Sequence, residues 1–314
     1  MRVNYEQIAK FVDIKKIWVL TTVDLVEMVK KELPEIDGCN YVVEPCRRNH
    51  GPAISMMMAK LVNVDPDEPF MIIQTDVIRN PESRFREMIM MADEVTQKTG
   101  CWLTAGKKME GKIAGVDYVE VGNKKTYGEV NFWEIEKWLN RDIEKDIERA
   151  ISNQKALIHA THLCWTPIKM IEVIKSHVPS WGRGIDKLME AGENWEKVVK
   201  TVYKQMEHGS FEERVVSQLT EKGYVMEMTF EWWDLGTWES VADYNQKYFN
   251  NNNECDMVEI EAGGNYCRVE KGKKVAVVGM DNLIVVDTPE GLLVCKKEMS
   301  GRVGEVITKL EEKD

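Results

Sequence analysis

Asp234 sits among three tryptophans in the run Glu231-Trp232-Trp233-Asp234-Leu235-Gly236-Thr237-Trp238, and this is the segment best equipped for chemistry. Charged side chains enter aromatic surroundings chiefly when paired with another charge or with a metal. A carboxylate with dry walls holds a divalent cation well, because little solvent screens it. The chemistry suggested is phosphate handling through Mg²⁺. The plainer alternative is an acid at the rim of a core, capping a helix that starts near Thr237. Asp76 is the second carboxylate of interest. It follows the apolar run Phe70-Met71-Ile72-Ile73 and so falls at a strand's carboxyl end, where open α/β sheets bind ligands. Asp76 and Asp234 would together supply the one or two carboxylates that a nucleotide-bound Mg²⁺ takes from protein. Otherwise Asp76 is a cap or turn acid before Pro81.

Glu44-Pro45-Cys46-Arg47-Arg48-Asn49-His50-Gly51-Pro52-Ala53 is a loop directly after a strand. Two arginines near a helix N-terminus suit an anion, since free N–H groups and the helix dipole point the same way; alternatively they are solvated in a surface turn. Glu136-Lys137 reads by itself as surface charge. His159 and His162 are three apart, but no neighbouring Cys or acid completes a metal set. No nucleophilic triad can be argued from spacing. Gly263-Gly264 and Gly182-Arg183-Gly184 lack the preceding strand and following helix of a phosphate loop.

The elements that must position these residues alternate. Strands are predicted at Ile17–Thr21, Asn40–Glu44, Phe70–Ile73, Trp102–Ala105 and Val116–Val121. Helices are predicted after Leu25, from about Pro52 to Leu61, from Pro81 to Gln97 and across Pro167 to Met206. A charged helix is also predicted from Trp133 to about Ser152. Continuously apolar strands between helices imply a mostly parallel α/β sheet covered on both faces. The methionines at 56–58, 88, 90 and 91 read as core filling. Asn250-Asn251-Asn252-Asn253 is the clearest linker. Beyond it the period shortens to five strands separated by Gly, Asn and Pro turns, closed by a helix from Ser300 to Leu310. The chain therefore divides into an α/β domain, 1–249, and a β-rich appendage, 250–314.

At 314 residues and a formal net charge of −11, no broad basic surface for nucleic acid or anionic membrane is expected. The seven cysteines are scattered and never spaced C-x-x-C, as expected of reduced thiols in a cytoplasmic protein. No apolar run approaches the roughly 18 residues of a membrane span.

Taken in order, these segments resemble bacterial-type mannose-1-phosphate guanylyltransferases, the sugar nucleotidyltransferases that make GDP-mannose. Glu44-Pro45-x-x-Arg48-Asn49-x-x-Pro52-Ala53-Ile54 is similar to the family's E-P-x-x-R-N-T-A-P-A-I segment. Asp76 falls where its strand-end Asp lies, and Glu136-Lys137 resembles E-K-P. Phe230 to Trp238 resembles F-x-W-x-D-x-G-S-W, and Val275–Gly279 and Val285–Pro289 match its C-terminal region. The resemblance implies a Rossmann-like nucleotidyltransferase fold. It implies Mg²⁺ on Asp76 and Asp234, and a guanine-nucleotide pocket lined by Glu44, Arg48 and Asn49. Lys137 would meet a phosphate, with Gly115 and Tyr118 beside the sugar. The implied ligands are GTP or GDP-mannose and a sugar 1-phosphate. The departures are His50-Gly51 for Thr-Ala, Trp138 for the proline of E-K-P, Val116-Asp117 for a Gly-Tyr pair, and a W-N-S-G-M-F strand that is degenerate around His159–Leu163. The chain also starts after the family's first strand and its G-G-x-G-x-R-L-x-P loop. Three roles are therefore open. One is a guanylyltransferase whose strand and loop come from another polypeptide or an upstream coding region. The second is a catalytically weakened homologue that binds a nucleotide sugar, or an active partner, as regulator or scaffold. The third is an interaction protein that uses the worn fold as a scaffold. A homo-oligomer is compatible with each.

Overall fold

The computed structural model describes residues 1–108, 116–139, 144–249, 255–289 and 291–311. They form two compact units, Met1–Thr75 with Asn80–Glu231, and Asp76–Arg79 with Trp232–Asp314. The sequence boundary near residue 250 and this division do not coincide, because Trp232–Phe249 group with the later strands. The asparagine run itself lies outside the described residues.

In chain order the strands are β1 (Val19–Thr22), β2 (Tyr41–Glu44), β3 (Phe70–Met71), β4 (Val77–Asn80), β5 (Trp102–Lys107), β6 (Tyr118–Tyr127), β7 (Val130–Leu139) and β8 (Ala156–His159). They continue as β9 (Cys164–Trp165), β10 (Gly223–Glu227), β11 (Glu231–Asp234), β12 (Asp256–Ile260), β13 (Tyr266–Arg268), β14 (Lys274–Val278), β15 (Leu283–Thr288) and β16 (Gly291–Lys296).

In the first unit β1 and β2 pair in parallel, and a seven-stranded sheet runs β10-β7-β6-β8-β5-β9-β3. The α/β class and Rossmann-like fold stand, but the expected mostly parallel sheet does not. Within the seven strands only β10 with β5 is parallel among the described pairings. The cause is local: β6 and β7 form a hairpin, and β8 and β9 run back against β5 instead of following a helical crossover. The hairpin corrects a second expectation. Trp133–Leu139 belongs to β7, and of the helix predicted from Trp133 the described residues show Glu144–Ser152.

Helices His50–Val64, Pro167–His177, Pro179–Met189 and Trp195–Gln205 enclose a core of Met56, Met58, Ile174, Trp181, Ile185, Leu188 and Tyr203. Pro167 and Pro179 stand at the first helical position, where the missing N–H costs nothing. Met56, Met58 and Met88 are core filling as read, whereas Met90 is exposed.

In the second unit β4 pairs with β11, β12 with β14 and β13 with β15, the last two pairs in parallel; β16 closes antiparallel on β15. Thr237 starts the helix Trp238–Phe249, its Oγ1 accepting from the Ser240 N–H at 3.2 Å. Tyr266, Ile284 and Val286 form the core with Ala242. Asn265 ties the turns: it donates to Glu259 and to the Met280 carbonyl and accepts from the Leu283 N–H. Cys255 and Cys267 are joined in a disulfide, which corrects the expectation that every thiol is reduced; Cys39, Cys46, Cys101, Cys164 and Cys295 are free. Spacing gives no hint of the pairing. Among the described residues no helix is long and apolar enough to cross a membrane.

Candidate functional site

The residues singled out by the sequence fall in both units. In the second unit Asp76 directly precedes β4 and Asp234 ends β11. The Leu235 N–H donates to the Asp76 carbonyl at 2.9 Å, so both acids occupy the same end of the β4–β11 ribbon. The strand-end placement of Asp76 is corrected, since β3 ends at Met71 and Asp76 opens the next strand. Both acids are exposed. The dry-walled Asp234 is therefore also corrected: Trp233 packs on Tyr244 and Tyr248 of the following helix and does not enclose the carboxylate. Asp234 does not cap that helix either. Its Oδ1 accepts from the Gly236 N–H at 2.8 Å, a local turn that orients the side chain. Arg79 is buried behind Asp76 and donates to the Val77 carbonyl. Burial pushes its guanidinium down to about 10, against the opposing charge of Asp76.

Among the described residues no three His, Cys, Asp or Glu side chains form a metal cluster. Two exposed carboxylates at one ribbon end do fit Mg²⁺, which takes one or two protein carboxylates and completes its octahedron with phosphate oxygens and water. They do not fit a closed structural site, which needs a full protein ligand set.

In the first unit β2 ends at Glu44, whose Oε2 accepts from the Tyr203 hydroxyl at 2.5 Å. Burial pushes the Glu44 carboxyl up, opposed by that hydrogen bond and by Arg47 and His50. The Tyr203 phenol is pushed up by burial and by Glu44. Arg48 donates through Nη1 to the Met206 carbonyl at 3.2 Å, while its buried Nε finds no partner among the described residues. Asn49, at φ 64°, caps the helix His50–Val64 by accepting from the His50 N–H at 2.7 Å, and the Gly51 N–H donates to the Gly209 carbonyl. The protein thus engages two of the N–H groups expected to be free for an anion. His50 Nε2 is ion-paired with Glu212. The contact raises the imidazole; for Glu212 burial pulls upward, but His50 prevails and the carboxyl lies below its ordinary value.

Lys137 lies on β7 opposite Glu120 and binds Asp146 Oδ2 at 2.6 Å, which holds the Asp146 carboxyl low. Trp138 packs against His159 with ring centroids 4.6 Å apart and planes inclined at 59°. Burial pushes the His159 imidazole down to about 4, against the charges of Glu212 and Asp117. Tyr118 is 1 % exposed and packs with Leu139, Ile147, Ala150 and Ile158, away from any open surface. Gly115 lies outside the described residues. The structure therefore gathers Glu44, Arg48 and Asn49 on one loop against Tyr203 and Glu212, and it buries Tyr118 elsewhere. Sequence reasoning missed Tyr203, Glu212 and Trp181. All three come from helical segments without a motif, and only the departure at His50-Gly51 points toward them.

Residues 256–310 match the MannoseP isomerase/GMP-like beta-helix domain. The chain is 21 % identical to alginate biosynthesis protein AlgA of Pseudomonas fluorescens, over 86 % of this chain and 56 % of that protein. It is also 21 % identical to mannose-1-phosphate guanylyltransferase 2 of Escherichia coli O157:H7, over 90 % of this chain and 60 % of that one. The chain thus spans little more than half the length of the curated relatives it matches. Its fold is similar to that in the crystal structure of mannose-1-phosphate geranyltransferase from Thermus thermophilus, with a TM-score of 0.82 at 19 % identity, covering 98 % of this chain and 88 % of that one. The chain thus carries this C-terminal domain at residues 256–310, shares the fold of the Thermus thermophilus protein, and is similar at low identity to mannose-1-phosphate guanylyltransferases over most of its length.

Proposed function

We propose that this chain is a mannose-1-phosphate guanylyltransferase, joining GTP and mannose 1-phosphate to give GDP-mannose and pyrophosphate. The observation that carries the proposal is the pair Asp76 and Asp234 at one end of the β4–β11 ribbon, both exposed and Asp234 oriented by the Gly236 N–H. These two carboxylates would hold Mg²⁺, which when bound offsets negative charge on phosphate oxygens. Glu44, Arg48 and Asn49 would receive the nucleotide, with the unpartnered Arg48 Nε as a donor in waiting. Lys137, on leaving Asp146, would meet a phosphate. In the reaction an oxygen of the sugar phosphate forms a bond to the α-phosphorus of GTP. The bridging bond to the β-phosphate breaks, and its electron pair leaves with pyrophosphate. Such transfer depends on positioning and on cationic stabilisation of developing charge.

One observation favours a second reading, a catalytically weakened homologue that binds nucleotide sugar and regulates an active partner. The His50 and Gly51 N–H groups, Arg48 Nη1 and Lys137 all have protein partners already. Pyrophosphate release with GTP, mannose 1-phosphate and Mg²⁺, set beside an Asp76→Ala/Asp234→Ala variant, separates the two. Turnover lost in the variant supports the enzyme. Saturable GTP binding without turnover moves the assignment to the regulator. Neither turnover nor binding by the folded chain refutes both.

A further inference from the structure

Gly182-Arg183-Gly184 is absorbed by neither reading. It lies in the helix Pro179–Met189 of the first unit, and Arg183 and Lys187 stand one turn apart along a cavity of about 150 Å³. Ser180 and Gln205 complete its polar wall, and Val202 and the buried Met206 form its floor. The pocket is built into the fold. A Cβ on Gly184 would meet the Met206 side chain at 2.9 Å, so the glycine lets the floor close against the helix.

The charge on this pocket is unusual. The chain carries 53 acidic against 42 basic residues, yet neither Arg183 nor Lys187 has a carboxylate partner among the described residues. The neighbouring acids are paired with other cations, Asp186 with Lys175 at 2.5 Å and Glu207 with Arg214 at 2.8 Å, and Glu207 also accepts from the Ser180 hydroxyl of the pocket wall at 3.4 Å. Like charges one helical turn apart repel, and a bound anion between them removes that repulsion. A guanidinium fork, an ammonium and an amide together match a tetrahedral oxyanion, and the Ser180 hydroxyl would join them on turning from Glu207. The cavity is well below the roughly 300 Å³ of the smallest pockets that enclose a drug-sized ligand, so a nucleotide does not fit.

We propose that this pocket is a binding site for a phosphate dianion, either free or carried by a small monoester. The proposal does not rest on the nucleotidyltransferase reading. The test is calorimetric titration of inorganic phosphate into the full chain, at an ionic strength matched with chloride, beside an Arg183→Gln/Lys187→Gln variant. Both side chains are exposed, so the variant should fold, and a circular-dichroism melt checks that it does. The expected result is one saturable site in the parent chain, weakened about tenfold for each cation removed. Glycerol phosphate in place of phosphate separates the sources: equal binding through the same residues assigns a monoester, and binding of phosphate alone assigns the free anion. An affinity unchanged in the double variant overturns the site, as does the absence of saturable binding in the parent chain. Phosphate binding lost in an Arg48→Gln variant but kept in the double variant overturns it too, because the anion would then belong to the Arg48 loop.

Discussion

Gly51→Ala is the substitution whose cost can be worked most directly from the structure. The family pattern carries alanine here, yet a Cβ at Gly51 would lie 2.0 and 2.4 Å from ring carbons of Trp181 and 2.7 Å from the Gly209 carbonyl oxygen. The ring cannot slide aside freely: Trp181 is fully buried, and its Nε1 donates to the Glu207 carbonyl at 2.6 Å. Overpacking of this kind costs about 1–3 kcal/mol. Losing or bending the indole hydrogen bond adds about 0.5–1.5 kcal/mol. The stiffer unfolded chain returns about 0.4–1 kcal/mol. The net loss is about 2 kcal/mol. With a urea dependence of about 2–3 kcal/mol per molar, the unfolding midpoint followed by circular dichroism should fall by nearly 1 M. In a Trp181→Leu background the same substitution should cost at least about 1 kcal/mol less, because residues in contact do not add. A midpoint unchanged by Gly51→Ala, or an equal drop in both backgrounds, would refute the contact as the reason for glycine.

Three further outcomes are expected. His50 is raised chiefly by its hydrogen bond to Glu212, so its contribution to stability is complete below pH 6.5 and disappears as pH climbs through the raised value; Glu212→Gln should bring its NMR titration midpoint back down, and an unmoved midpoint contradicts the pairing. His159 is lowered to about 4 by burial, so protonation opposes folding and stability declines as pH drops from 6.5 toward 4. Its imidazole should titrate near 4 in the parent chain and higher in Trp138→Ala, and a parent midpoint near 6.5 would sink this account. Thiol titration of the denatured, unreduced chain should find five reactive cysteines and, after reduction, seven; seven before reduction would show that Cys255 and Cys267 are not joined.

Much of the fold is legible in the sequence because strong local signals agree. Prolines at 167 and 179 start helices, and turn residues between short alternating runs place the five strands from Asp256 to Lys296 within a residue or two, whereas β4 and β11 are not foreseen. Trp133–Leu139 misleads for a physical reason: Ile135, Trp138 and Leu139 satisfy helical spacing as well as a strand, and charged residues follow. Pairing with β6 and β10 settles it, and that is long-range information. The motif acids are legible individually, but their meeting at one ribbon end depends on a pairing between segments far apart in the chain. The burial of Tyr118 is not legible locally, because it is decided by the helix Glu144–Ser152, which lies well beyond its own strand.

Three of the departures from the family pattern meet a partner within the fold. His50 has Glu212, the glycine at 51 has the Trp181 ring, and Trp138 has His159. The polar atoms that remain unsatisfied are equally informative. Arg48 Nε and Trp232 Nε1 are buried donors without a hydrogen-bond partner among the described residues, and both lie in motif segments. Leaving a buried donor unpaired costs about 1–3 kcal/mol, a penalty that packing alone would remove and that a ligand oxygen can remove instead. Each segment should therefore be tighter when its ligand is bound. GTP with Mg²⁺ at about a hundred times its dissociation constant should stabilise the chain by about 2.7 kcal/mol. Hydrogen exchange should slow at the Arg48–Gly51 backbone and at the Trp232 indole. Stabilisation without protection at either place would mean that the nucleotide binds elsewhere, and no stabilisation at all would leave these two donors as unrelieved strain in a fold that no longer meets its ligand.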